Sequence, residues 1–190
     1  LYAGENALRV QGLDPAGRPL TNALDTLTVT NTGPGALLPV VINEWMADNA
    51  GPLGFADPVD GLFQDWFELF NPNTNSVNLS GFYLTDNPGQ PAKWPVPLGT
   101  LIAPGGFLLV WADGETGQNA PGGEPHTDFQ LSRGGEAIAL YAPDGTLVDA
   151  VTFGAQATDQ ADGRWPDGET APYRMAPPTP RAANRIFMIT

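Results

Sequence analysis

Residues 137–153 read AIALYAPDGTLVDAVTF. Two apolar-rich runs, 137–141 and 147–153, stand on either side of Pro143-Asp144-Gly145. Asp-Gly supplies the backbone conformation that a tight hairpin turn demands and is among the best short-range hairpin signals. This stretch is therefore read as an antiparallel β-hairpin.

The same grammar extends upstream. Residues 107–112 (FLLVWA) follow the turn Ala103-Pro104-Gly105-Gly106. In residues 81–85, Phe82 and Leu84 share one face while Tyr83 and Thr85 share the other. In residues 65–71, Phe67 and Leu69 share a face, and Glu68 sits opposite with Trp66 and Phe70. Residues 40–47 (VVINEWMA) begin the series, and 77–79, 100–102 and 129–131 add short runs. Strands at intervals of about ten residues, with turn residues between them, fit two antiparallel sheets packed as a sandwich. Residues 107–111 are apolar on both faces, so that strand is expected to be central or covered by the tail. No long stretch repeats apolar residues at helical spacing, and helix is expected to be a minor component. Gly and Pro make up about 23% of the chain, against a usual combined share of roughly 12%, as the turns of an all-β protein require.

Both ends differ from the middle. Residues 155–183 are polar and Pro-rich, and Pro177-Pro178-Thr179-Pro180 cannot pair as an inner strand. They are read as a long surface strap, with residues 185–190 (RIFMIT) able to add an edge strand. Residues 6–32 read as a hairpin turning at Asp14-Pro15-Ala16-Gly17. Two strands alone are marginal in water, so this hairpin is expected to end a preceding β-sandwich module, with Thr32-Gly33-Pro34-Gly35 as linker. The expected organisation is a hairpin extension with linker over residues 1–36 and a β-sandwich over 37–190. The chain opens at Leu1 without a basic, then apolar, leader and is expected to be a piece of a longer polypeptide.

Ile42-Asn43-Glu44-Trp45-Met46-Ala47, Asp65-Trp66-Phe67-Glu68-Leu69 with Asn71-Pro72, and Leu79-Ser80-Gly81 with Leu84-Thr85-Asp86 form an ordered set. It continues through Gly105-Gly106-Phe107, Trp111-Ala112, Phe129 to Ser132 and Gly134-Gly135-Glu136 with Ala139-Leu140. Asp144-Gly145, Val148-Asp149, Gly163-Arg164, Thr179-Pro180 and Ala182-Ala183-Asn184 complete it. In these residues the chain resembles the lamin tail domain of bacterial surface and secreted proteins, over about three quarters of its length. The resemblance implies an immunoglobulin-like β-sandwich and an interaction role. Nuclear lamins carry this domain beyond their coiled coil, for contacts with protein and with DNA. In bacteria it accompanies nucleases, phosphatases and other modules, so a secreted or cell-surface bacterial protein is the implied setting.

Charge narrows the partners. The net charge is −13, and the eight basic residues, Lys93 and seven arginines, are scattered. A nucleic-acid surface needs a basic patch to neutralise phosphates, so no nucleic-acid partner is expected, in contrast to the DNA role of the animal domains. No run of 18 apolar residues exists, and membrane insertion is not expected. Cysteine is absent, which removes thiolate chemistry and Cys-ligated zinc.

The chemical candidates are few. His126 is the only histidine, and Ser76, Ser80 and Ser132 the only serines, none in a nucleophile elbow. His126 is read as a polar residue opening a strand after a Pro-rich loop. Glu44, Asp65, Glu68 and Asp86 lie on or beside strands and raise the alternative of a carboxylate-based hydrolase. The plainer reading has Glu44 and Glu68 capping loop amides or pairing with an arginine. Asp48, Asp57, Asp60 and Asp65 lie in or beside a Gly/Pro-containing loop and offer calcium ligands, the alternative being a solvated acidic loop. Asp159, Asp162 and Asp167 form a second acidic group. Trp94 and Trp165, each followed by proline, offer ring faces to a glycan or clamp loops onto the sandwich. The expected function is a non-catalytic structural or interaction module that contacts a protein or domain. A calcium-assisted carbohydrate-binding module is the alternative, and no other cofactor is expected.

Overall fold

A computed structural model describes residues 4–31, 39–51, 53–175 and 177–186. Among these residues the chain is all-β apart from one 3-10 turn at Thr116–Gln118. None of its helical segments is long and apolar enough to cross a membrane. The chain divides into two compact units, Leu1–Leu37 and Leu38–Thr190.

The first unit is a hairpin of β1 (Gly4–Leu13) and β2 (Pro19–Asn31), paired so that Leu8 faces Leu27 and Val10 faces Asp25. Its turn forms where the sequence places it. Asp14 Oδ1 accepts the N–H groups of Ala16 and Arg18, both at 2.9 Å, and Gly17 takes a φ of 79°. A short acidic side chain that bonds its own loop, followed by a glycine, is the usual chemistry of such turns. The expected linker at residues 32–35 lies outside the described residues.

The second unit begins with β3 (Val41–Met46), β4 (Trp66–Phe70), β5 (Val77–Asn78) and β6 (Tyr83–Thr85). It continues with β7 (Trp94–Pro95), β8 (Leu101–Ile102), β9 (Phe107–Trp111) and β10 (Ala137–Tyr141). β11 (Leu147–Thr152), β12 (Ala161–Arg164) and β13 (Pro172–Met175) close the set. A four-stranded sheet runs β11-β10-β6-β7, a five-stranded sheet runs β13-β12-β3-β4-β9, and β5 pairs with β8. Ile42, Trp45, Phe67, Leu69 and Val110 from the larger sheet pack with Leu84, Ile138 and Leu140 from the smaller. These inner faces make the core of an immunoglobulin-like β-sandwich. Ile42 and Trp45 share a face although three residues apart, because the pairing of β3 with β4 shifts between Ile42 and Glu44. The extra residue, Asn43, is a β-bulge.

The outer face of the larger sheet is buried as well. Met46, Trp66, Leu109 and Trp111 pack there with Ala161 and Met175, and Phe55 and Ile186 lean on the cluster. This explains the doubly apolar β9, which is the edge strand of its sheet yet covered on both faces.

The expected surface strap at residues 155–183 needs correction in its middle. β12 lies inside the sheet between β3 and β13, with Ala161, Gly163 and Arg164 buried. Polar contacts hold it there. Asp149 accepts the Ile42 N–H at 2.7 Å on one oxygen and Arg164 Nη2 at 3.0 Å on the other. A Cβ added to Gly163 would lie 2.6 Å from Asn184 Nδ2 and 3.0 Å from the Asn43 carbonyl oxygen, so only glycine fits this close approach. Beyond Met175 the strap reading holds, since residues 177–186 carry no strand. No edge strand forms at Arg185 and Ile186, and residues 187–190 lie outside the described residues.

Candidate functional site

Two groups of acids are drawn into the larger sheet. Alternation along β3 and β4 turns Glu44 and Glu68 to the outer face, where the register sets them directly opposite each other. Both are fully buried beneath the tail. Glu44 accepts the Thr179 N–H at 3.0 Å and the Thr179 hydroxyl at 2.9 Å. Glu68 Oε2 accepts the Arg181 N–H, while Oε1 has no hydrogen-bond partner. Burial pushes Glu44 up to about 7, against the pull of the Thr179 bonds. Burial, with Glu44 and Asp167 nearby, pushes Glu68 up to about 9. At neutral pH Glu68 therefore keeps its proton, burial outweighing the nearby Arg181 charge. The reading of these residues as caps of loop amides holds, and the amides are those of Thr179 and Arg181. A carboxylate pair is present, buried beneath the tail.

The second group stands at the end of β9. Asp113 follows that strand by two residues, Asp57 comes from the loop between β3 and β4, and His126 forms an isolated parallel bridge with Trp111. All three are buried. Asp113 Oδ1 accepts the Glu115 N–H at 2.8 Å, and Asp57 Oδ1 accepts the Val59 N–H at 2.8 Å. The remaining oxygen of each carboxylate turns to the ring, with His126 Nδ1 at 2.6 Å from Asp113 Oδ2 and 3.6 Å from Asp57 Oδ2. Asn119 fixes the histidine by accepting its N–H at 3.0 Å and donating to its carbonyl at 2.7 Å. Burial raises the pKa of Asp57, against the Val59 bond and the nearby ring. His126 does follow the Pro-rich loop and pair with a strand, at Trp111, but its side chain points inward. It is 1% exposed and central to an acidic cluster.

The four aspartates read as calcium ligands separate. Asp48 Oδ2 accepts the Thr158 hydroxyl at 2.7 Å, and Asp65 Oδ1 accepts the Asn49 N–H at 3.2 Å. Burial pushes Asp65 up to about 6, with Asp48 adding to the effect. Asp60, exposed, accepts the Leu62 N–H and Gln118 Nε2. Among the described residues, Asp57 is the one of the four in a group able to hold a metal, together with Asp113 and His126. The second acidic group also separates. Asp159 takes amides of Ala50, Gly51 and Leu53, Asp162 bonds Gln156 and Arg174, and Asp167 bonds Asn43 and Asn184.

Trp94 is 5% exposed and belongs to the inner core, so its ring is not offered to a sugar. It pairs with Leu84 through β7, and the clamping role read beside the glycan role is the one it fills. Trp165 is 37% exposed and meets Tyr173 edge-on at 6.4 Å.

An open groove of about 390 Å³ lies between residues 97–101 and 119–125, with Leu98, Thr100, Leu101, Leu108, Asn119 and Pro125 in its lining. No ionisable side chain lines it. Leu98 is 88% exposed and Leu101 59%. The sequence reading passed over it, because Leu98 falls in a turn and Leu101 in a short strand run. The usable signal was an exposed-turn leucine between Pro97 and Gly99.

A family model described as the Lamin Tail Domain matches residues 34–155. No curated protein and no solved structure matches the chain significantly.

Proposed function

Because the chain belongs to the lamin tail domain family, we propose that it is a non-catalytic interaction module of a larger secreted or cell-surface protein, and that the Leu98–Leu101 groove receives an extended apolar segment of a partner protein or neighbouring domain. The observation that carries this reading is the groove's lining. In a chain of net charge −13, it is a concave surface free of ionisable groups and edged by two exposed leucines. Exposed apolar area in a concavity is the usual mark of a contact surface. The buried carboxylates support the same reading from the other side. Glu44 and Glu68 spend their hydrogen bonds on the tail. The secreted or surface setting rests on the resemblance to bacterial lamin tail domains.

The test is a photo-crosslinking amino acid placed at position 98 of the parent protein in its own cell, with a second at the exposed Thr146 turn as control. A defined partner segment crosslinked from position 98, and lost in Leu101→Asp, is the expected result. Identical crosslinks from both positions would remove the groove from consideration. Cell fractionation of the same strain checks the proposed location.

A further inference from the structure

We propose that Asp57, Asp113 and His126 form a binding site for one divalent cation of the zinc or manganese class. The three donor atoms lie within 4.8 Å of one another, and all three residues are buried. Each carboxylate has one oxygen tied to its own loop, at Val59 and Glu115, which fixes the other toward His126 Nδ1. Asp57 Oδ2 is the unmet part of this arrangement. It is fully buried, has no hydrogen-bond partner, and stands 3.6 Å from the ring nitrogen. A buried carboxylate oxygen left unbonded costs free energy unless something pairs with it.

Charge points the same way. Two carboxylates turned to one ring nitrogen concentrate negative charge inside the protein. A divalent cation balances the charge of two carboxylates, and an imidazole nitrogen can ligate it, any proton on that nitrogen leaving to solvent as the metal takes its place. The Arg181 guanidinium acts on Asp57 electrostatically, but its hydrogen bonds go to both oxygens of Glu124. Exposed Asp60 and half-buried Glu115 are close enough to act electrostatically on the cluster and give an arriving cation a negative approach. The donor set selects the class. Calcium wants six to eight oxygens, whereas one imidazole nitrogen with two carboxylates suits zinc or manganese, water completing the shell. The bound ion would tie the loop carrying Asp57 to the segment that follows β9.

The experiment uses the whole chain, stripped with a chelator and titrated separately with Zn²⁺, Mn²⁺ and Ca²⁺ by calorimetry and thermal denaturation. One Zn²⁺ or Mn²⁺ per chain is expected. A rise in Tm of about 5 °C or more is expected at a hundredfold excess over Kd, reversed by chelator. Asp57→Asn removes the unpaired buried charge, so it should fold at least as well while its affinity falls by at least ~10-fold. His126→Gln serves as a second variant with the same expected loss. The proposal is overturned by an absence of saturable binding, by a response to Ca²⁺ alone, or by Asp57→Asn binding as tightly as the parent chain.

Discussion

Glu44 and Glu68 face each other across β3 and β4, while Asp57 and Asp113 converge on His126 beyond β9. Both places bury two carboxylates against the same sheet, and burial penalises the charged form at each. Their solutions differ. The glutamates sit under the tail and receive backbone N–H groups from Thr179 and Arg181, and Glu68 sheds its charge by keeping a proton. The aspartates each turn one oxygen to the same imidazole nitrogen, at 2.6 and 3.6 Å, and gather their charge where a cation can pair with it. The first arrangement needs only a covering segment. The second needs a positive partner, and its geometry is meaningless without one.

Removing that partner should have the largest effect. His126→Ala leaves Asp57 and Asp113 buried without the ring that their free oxygens face, and breaking a buried polar pairing in this way costs about 3–5 kcal/mol. Urea denaturation at pH 7 should show this loss, and adding Asp57→Asn should recover part of it. A loss below about 1 kcal/mol would mean that the ring does not hold the two acids together.

The glutamates should reveal themselves through pH. Their folded-state pKa values lie above the ordinary 4.5, at about 7 and about 9, so the folded chain binds protons that the unfolded chain releases. Stability from this source is full below about 4.5 and is lost as pH rises through the folded values. The parent chain should therefore lose several kcal/mol between pH 5 and pH 8, the larger part through Glu68. Glu68→Gln imitates the protonated acid and should flatten most of that slope. A variant with the parent's slope would place the proton elsewhere.

Gly163 tests how closely the tail must approach. Its added Cβ meets Asn184 Nδ2 and the Asn43 carbonyl oxygen, one of them backbone, so Gly163→Ala should cost about 2 kcal/mol in denaturant midpoint experiments. An unchanged midpoint would show that β12 and the tail yield easily.

The strands that carry the sandwich were open to sequence reasoning, for a physical reason. β10 and β11 alternate about an Asp-Gly turn, and their register runs from Ala137 opposite Thr152 to Tyr141 opposite Leu147. A half-buried strand must repeat every two residues, so its pattern is written locally. β12 has no such pattern. Ala161-Asp162-Gly163-Arg164 is held by Asp149, Gln156 and Asn184, all distant in sequence or local only through polar bonds. Trp94, beside Pro95 and turn residues, shows no readable pattern, because it pairs with Leu84 in a two-residue strand too short for periodicity. The acidic cluster was hidden more deeply. Asp57 was read among its loop neighbours, but its real partners arrive through the pairing of β4 with β9 and the bridge from Trp111 to His126. Paired strands bring such residues together regardless of spacing.

The smallest effect concerns a single hydroxyl. Thr179 Oγ1 lies 2.9 Å from Glu44 Oε2 and 3.0 Å from Asn184 Oδ1, and its backbone N–H also serves Glu44. Thr179→Val removes the hydroxyl but keeps the shape and the N–H, so a loss of about 1 kcal/mol is expected at pH 7. A value near zero would mean that backbone amides alone fasten the tail over the glutamates. A value above about 3 kcal/mol would make this hydroxyl the main anchor and put the site beyond the cost of one neutral hydrogen bond. Either result bears on where the domain ends. The family match stops at residue 155, while the cover over Glu44, Glu68 and Trp66 comes from residues after it. If the tail is fastened as the hydrogen bonds indicate, the folded unit extends past the matched region, because the outer face it leaves behind carries two acids and the side chains of Met46, Trp66, Leu109 and Trp111, which water would otherwise reach.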